Sequence, residues 1–239
     1  MRSPVDLWVY LSTSPLIWLT LTLCTWIGAS EISRRLDRNP LANPVLTSIL
    51  FLSLVMTIFG IPYERFFEGA QFVHFLLGPA TVAIAVPLFR QWERVKRLLL
   101  PIAAALMVGS LMAVLSVVAL GSLLGLSDEV MISFLPKSAT AGVAMAISAS
   151  LGGNPSLTAV LVILTGIIGA LIVTPFMNLM QIRDYAARGF AVGLTSHGIG
   201  TARAYEVDET AGLFAGIAMA LNAVATAAVV PIAAAWLIR

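Results

Sequence analysis

Few side chains in this 239-residue sequence could do chemistry, and those few sit in unusual company. Lys137 lies in an apolar segment directly after Pro136, and Arg203 closes an uncharged run from 189 to 202. A cation in such a place needs an anionic partner, because a lone ammonium in hydrocarbon costs at least ~2.5 kcal/mol. For Lys137 the functional reading is a counter-charge for a small carboxylate, helped by backbone N–H groups at the start of the following half-helix. The plain alternative is an interfacial turn from which Lys137 reaches the headgroups, since Asp128 and Glu129 are close in sequence. Arg203 has the fork geometry for a carboxylate, yet Glu206, Asp208 and Glu209 offer an internal ion pair. His197, between Ser196 and Gly198, could exchange a proton near neutrality or serve as a hydrogen-bonded structural residue. Thr81, Ser138, Thr140, Asn154, Ser196, Thr201 and Asn222 complete a set of candidate substrate-binding groups, each equally able to satisfy broken backbone.

The elements that must hold these groups are hydrophobic. The chain carries 14 Lys and Arg and 12 Asp and Glu, is 59% hydrophobic, and has a mean hydropathy of +0.95. A chain of 25.4 kDa cannot hide that much apolar surface from water, so its solvent is lipid. Charge-free stretches place roughly eight apolar segments near 8–30, 43–61, 68–89, 98–125, 130–150, 156–182, 186–204 and 210–238. Continuous runs without in/out alternation read as helices, giving an all-α membrane protein with a single polytopic domain over 1–239. At least two segments read as discontinuous or re-entrant: Gly78-Pro79 interrupts the third and Pro136-Lys137-Ser138 the fifth. The stretches FLLGPATVAIAV (75–86) and FLPKSATAGVAM (134–145) are alike enough to suggest an internal repeat. Paired broken helices are the arrangement transporters use at a substrate site.

Loop charge sets an orientation. Loops 31–38 and 90–97, rich in Arg and Lys, read as cytoplasmic, while the acidic turn at Asp128-Glu129 faces outward. A net charge of +2 spread over short loops argues against nucleic-acid binding, and one cysteine allows no internal disulfide. No metal-ligand cluster, nucleophile elbow, phosphate loop or dinucleotide fingerprint occurs, which argues against an enzyme and against a cofactor.

Four stretches together resemble a known family: LLGPATVAIAVPL (76–88), LPKSAT (135–140), SLGGNPSLTAVLVILTGIIGA (150–170) and SHGIGTARA (196–204), the last followed by an acidic cluster. They are similar to the LrgB/CidB family of bacterial membrane proteins, with a core over about 40–239. The resemblance implies residence in the bacterial cytoplasmic (inner) membrane and an antiholin-like role in murein hydrolase export beside a small holin-like partner. It also implies, through plant plastidal and bacterial relatives, carriage of glycolate, glycerate or pyruvate. One departure is local, because Ala141-Gly142 stand where the family commonly has a second Thr, often followed by Pro. The combined expectation is a transporter of small organic anions, working as a homo-oligomer or with a small partner subunit, in which His197 is the candidate for coupling to protons beside its structural reading, with the antiholin-like regulatory subunit as the alternative.

Overall fold

A computed structural model describes residues 14–76, 79, 89 and 92–237. The chain forms two compact units, Met1–Ala85 and Val86–Arg239. The architecture is all-helical. In the first unit α1 (Pro15–Arg35) is followed by a short 3-10 turn (Pro40–Ala42), α2 (Pro44–Ile58) and α3 (Tyr63–Phe75). Proline opens both α1 and α2, where its missing N–H costs nothing, and the Asn43 side chain accepts from the Val45 and Leu46 amides. Trp18 of α1 is buried edge-on against Phe66 of α3, with ring centroids 6.1 Å apart. Gly69 makes that approach feasible, since a Cβ there would collide with the Pro15 carbonyl and Trp18.

The second unit contains α4 (Trp92–Arg97), α5 (Leu99–Leu123), α6 (Asp128–Phe134), α7 (Ala141–Ser150), α8 (Pro155–Leu179), α9 (Tyr185–Val207) and α10 (Glu209–Leu237). Helices α5 and α10 run side by side in the same direction. Ile102 shares a buried cluster with Leu213, Phe214 and Ile217, and farther along Val114 and Val117 share another with Val230 and Ala234.

The expectation of about eight segments is overturned. Among the described residues four helices are long and apolar enough to cross a membrane: Pro15–Arg35, Leu99–Leu123, Pro155–Leu179 and Glu209–Trp236. An uncharged stretch is not by itself a continuous helix, and each remaining segment falls short for its own reason. Helix α2 has 15 residues, ~22 Å of rise against a hydrocarbon core of ~30 Å. Helix α3 begins among Glu64, Arg65 and Glu68. The stretch 130–150 breaks into α6 and α7 around Pro136, whose ring removes a backbone donor. The stretch 186–204 is folded at His197. Gly78, Thr81 and most of the stretch 75–86 lie outside the described residues, and with them the proposed repeat.

Candidate functional site

The second unit is organised around two reversals of the chain. At His197 the backbone takes φ 42° and ψ −131°, a left-handed conformation that interrupts α9. Residues eight apart in a straight helix are separated by ~12 Å. Here a Cβ on Gly200 would lie 2.9 Å from the Val192 carbonyl oxygen, and Val192 shares a buried cluster with Ala204. Helix α9 is therefore a hairpin with arms 185–196 and 198–207. Gly189 and Gly193 press the first arm onto α10, where a Cβ would strike the Ala211 and Ala215 carbonyls.

A non-glycine residue at positive φ costs ~1–3 kcal/mol, so something must hold it. The His197 Nε2 donates to the Val162 carbonyl at 2.9 Å, because a carbonyl can only accept. The ring reaches that carbonyl because Gly166 offers no Cβ; one there would sit 2.6 Å from His197 Cε1. Thr201 Oγ1 donates to the His197 carbonyl at 2.7 Å, satisfying a group released by the break. Ser196 is fully buried against Gly169, its Oγ 3.2 Å from Thr195 Oγ1.

The second reversal occupies 135–140, a run of tight turns after Pro136 in which Ala139 N–H donates to the Pro136 carbonyl at 2.9 Å. Its two flanks meet at the start of α8. Thr158 Oγ1 donates to the Ser133 carbonyl at 3.0 Å and lies 2.7 Å from Ser148 Oγ, while the Asn154 amide donates to Ser133 Oγ at 2.8 Å. The tip packs Ala139 and Ala144 against Val162, the residue whose carbonyl holds His197.

Asn222 joins the two reversals. Its Nδ2 donates to the Ser138 carbonyl and to the Leu194 carbonyl, both at 3.0 Å, and its Oδ1 accepts from Ser110 Oγ at 2.6 Å. The two carbonyl oxygens are therefore no farther apart than twice that bond length. Ser110 lies near the middle of α5 and Asn222 near the middle of α10, which sets this node at mid-depth of the two long helices. Helix α7 and the second arm of α9 both begin at this level, so two half-helix N-termini lie near the node. Thr140 precedes α7 with no side-chain hydrogen bond to cap it.

Of the residues singled out from sequence, Ser138, Thr140, Ser196, His197, Thr201 and Asn222 gather at these two tips. Lys137 stands at the tip of the first reversal, half-buried, with no carboxylate in ion-pair range among the described residues. Asn154 lies away from the node, at the start of α8, with its side chain accepting from the Leu157 amide at 3.1 Å. Arg203 is six residues past the break, ~9 Å along the arm, and its Nη1 pairs with Glu206 at 3.1 Å. Thr81 lies outside the described residues. Sequence reasoning missed Ser110, Ser133, Ser148 and Thr158, hydroxyls in apolar helices whose sequence context gives no hint of a partner. It also missed Gly166 and Gly169, whose role shows only in the close approach of His197 and Ser196 to them. Among the described residues no group of His, Cys, Asp or Glu side chains could hold a metal ion.

Comparison with known proteins bears directly on this arrangement. The LrgB-like family matches residues 22–236, a span that includes every long helix of the second unit. The chain belongs to the LrgB-like family. Within reach of this LrgB-like chain is the uncharacterized protein YxaC of Bacillus subtilis (strain 168), 34% identical, covering 87% of this chain and 90% of that protein. The holin-like protein CidB of Staphylococcus aureus (strain N315) is 30% identical over 91% of this chain and 94% of its own length. The uncharacterized protein YwbG of Bacillus subtilis (strain 168) is 31% identical over 90% and 96%. No solved structure matches. Family and helices together make this a multi-pass protein of the bacterial membrane.

Proposed function

We propose that this chain acts in the bacterial cytoplasmic membrane as an antiholin-like regulatory subunit, controlling murein hydrolase export together with a small holin-like partner. What supports the reading is the near full-length likeness to a protein named holin-like, over 94% of that protein. A knockout of its gene should change the rate of detergent-induced autolysis, and the wild-type copy should restore it. An unchanged lysis rate in the knockout counts against a regulatory role.

One geometric observation favours a second, compatible reading, in which the chain carries a small organic anion such as glycolate, glycerate or pyruvate. Two half-helix N-termini lie near one polar node at mid-depth, with Lys137 beside it. Each N-terminus carries about half a positive charge, and a carboxylate leaving water needs such groups in place of its hydration. In this reading Lys137 supplies the counter-charge and the first N–H groups of α7 and of the second α9 arm orient the carboxylate. Ser138, Thr140, Ser196 and Thr201 line the passage, and His197 exchanges the coupling proton. Asn222 holds the two tips together, and the working unit is a homo-oligomer. Proteoliposomes of the wild type should take up these acids, and Lys137→Gln should suppress uptake with the protein still inserted. A wild type that moves none of them, in cells where the knockout still alters autolysis, leaves the regulatory reading alone.

A further inference from the structure

A groove of about 450 Å³ runs between α5 and the first arm of α9, with Phe214 of α10 among its walls. It is open because the facing residues are small: Ala105 on α5 and Ala187 and Ala191 on α9 leave space above Ile102, Phe190 and Phe214, which are buried together. The lining starts at Leu98 and Asp184 and stops at Gly109 and Thr195, ~16 Å farther along both helices at ~1.5 Å per residue. That is the depth of one leaflet, half of a hydrocarbon core of ~30 Å. The far end lies at mid-depth, where Leu194 packs on Gly109 and the next residue, Ser110, bonds Asn222. The near end stands at headgroup level, marked by Trp92 and Tyr185, both 43% exposed, since such rings collect at the membrane interface.

Charge at this mouth is one-sided. Val95 of α4 is buried with Ala186, which holds the basic stretch 90–97 against the start of α9. The neighbouring carboxylates are engaged: Glu93 pairs with Lys96 at 3.0 Å, and Asp184 accepts from the Ala187 amide at 2.8 Å. Arg97, directly before Leu98, and Arg183, directly before Asp184, are exposed and have no carboxylate in ion-pair range among the described residues. We infer that the groove seats one acyl chain of an anionic phospholipid of the cytoplasmic leaflet, with its phosphate at Arg97 and Arg183. The cross-section argues for a hydrocarbon chain and against a partner helix. About 450 Å³ over ~16 Å leaves ~28 Å², whereas a helix with its side chains is ~10 Å across and needs ~80 Å². The side chains argue the same way, because Asp184 and Thr195 stand at opposite ends and the walls between them are apolar. Exposed guanidiniums at the cytoplasmic face then favour an anionic headgroup over a zwitterionic one. A seated chain touches the arm whose Leu194 carbonyl Asn222 holds, so it steadies the α9 hairpin from the lipid side.

The test uses the full chain in dodecyl maltoside, stripped of co-purified lipid and titrated with dioleoyl phosphatidylglycerol or dioleoyl phosphatidylcholine while thermal unfolding is followed. A lipid that binds the folded state raises the unfolding temperature with a saturable dependence on its mole fraction. Phosphatidylglycerol should reach half-saturation at a mole fraction about tenfold lower than phosphatidylcholine. Arg97→Gln and Arg183→Gln should each weaken phosphatidylglycerol by about threefold to fivefold and leave phosphatidylcholine unchanged, a split that a merely structural role would not give. Ala105→Phe, which fills the groove from its exposed rim, should abolish saturable stabilisation by both lipids. Arg34→Gln, at an exposed cation of the first unit, should change neither. Should Ala105→Phe fail to fold, the two arginine variants decide alone. The inference is overturned by equal half-saturation for the two lipids, by arginine variants that bind phosphatidylglycerol as the wild type does, or by a folded Ala105→Phe that still saturates. If that last variant instead loses self-association in sedimentation, the groove is the seat of a second copy and the lipid assignment is wrong.

Discussion

Replacing Asn222 with Ala is the most informative single perturbation of this molecule. The side chain is 1% exposed and makes three hydrogen bonds, two from Nδ2 to backbone carbonyls and one accepted by Oδ1 from Ser110. In a soluble core each group stranded by its loss would cost about 1–3 kcal/mol. Within membranes the measured worth of such bonds averages only ~0.6 kcal/mol, because the chain unfolded in lipid finds other partners. Between these limits the expected loss is about 2–5 kcal/mol, a large share of a typical total of ~5–15 kcal/mol. Asn222→Asp keeps the shape and inverts the chemistry, since an ionised carboxylate would face two carbonyls with no proton to offer. It should be at least as damaging as Ala. Ser110→Ala removes only the single hydroxyl and should cost about 1 kcal/mol or less. Equilibrium unfolding in detergent measures all three, and a double-mutant cycle between positions 110 and 222 isolates their coupling. Asn222→Ala and Asn222→Asp both within about 0.5 kcal/mol of wild type would refute the claim that this amide ties the two tips together.

Gly193→Val should destabilise by about 1–3 kcal/mol, since a Cβ there meets the Ala215 carbonyl, whereas Gly142→Ala in α7, with open space around it, should be neutral or stabilising by ~0.5–1 kcal/mol. Unfolding of the two variants side by side checks both signs. His197→Gly relieves left-handed strain worth ~1–3 kcal/mol while losing a bond worth ~0.5–1.5 kcal/mol, so it should unfold later than His197→Ala, which loses the bond and keeps the strain. The reverse order would mean that φ at this position carries no strain. Cysteines placed at Lys96 and Arg183 should react only with cytoplasmic label and one at Ser127 only from outside, because α5 and α8 each cross once between these points. Label reaching Arg183 from outside would contradict that topology.

The sequence by itself determined the solvent, the all-helical class and the family. Scarce charge and long apolar runs force helices in lipid, because backbone groups there must be satisfied within the segment. The stretch LPKSAT carries its break in Pro136, a local event that removes one N–H, and SHGIG carries its polarity and glycine openly. What sequence could not supply was the number of crossings, since 186–204 has the length of a span and its polarity does not say that the chain turns back at His197. That turn rests on groups distant in sequence: the Val162 carbonyl that receives Nε2 and the absent Cβ at Gly166. Asn222 illustrates the same limit, for an asparagine in an apolar helix reads as a free polar group until two carbonyls from other parts of the chain are seen to consume its hydrogens. Arg203 shows it from the other side, because the fold brings Arg188 back beside it across fifteen residues of chain. Local rules fix where a helix must break, but the direction of the chain after the break is set by whichever distant donors and acceptors compensate the groups that the break exposes.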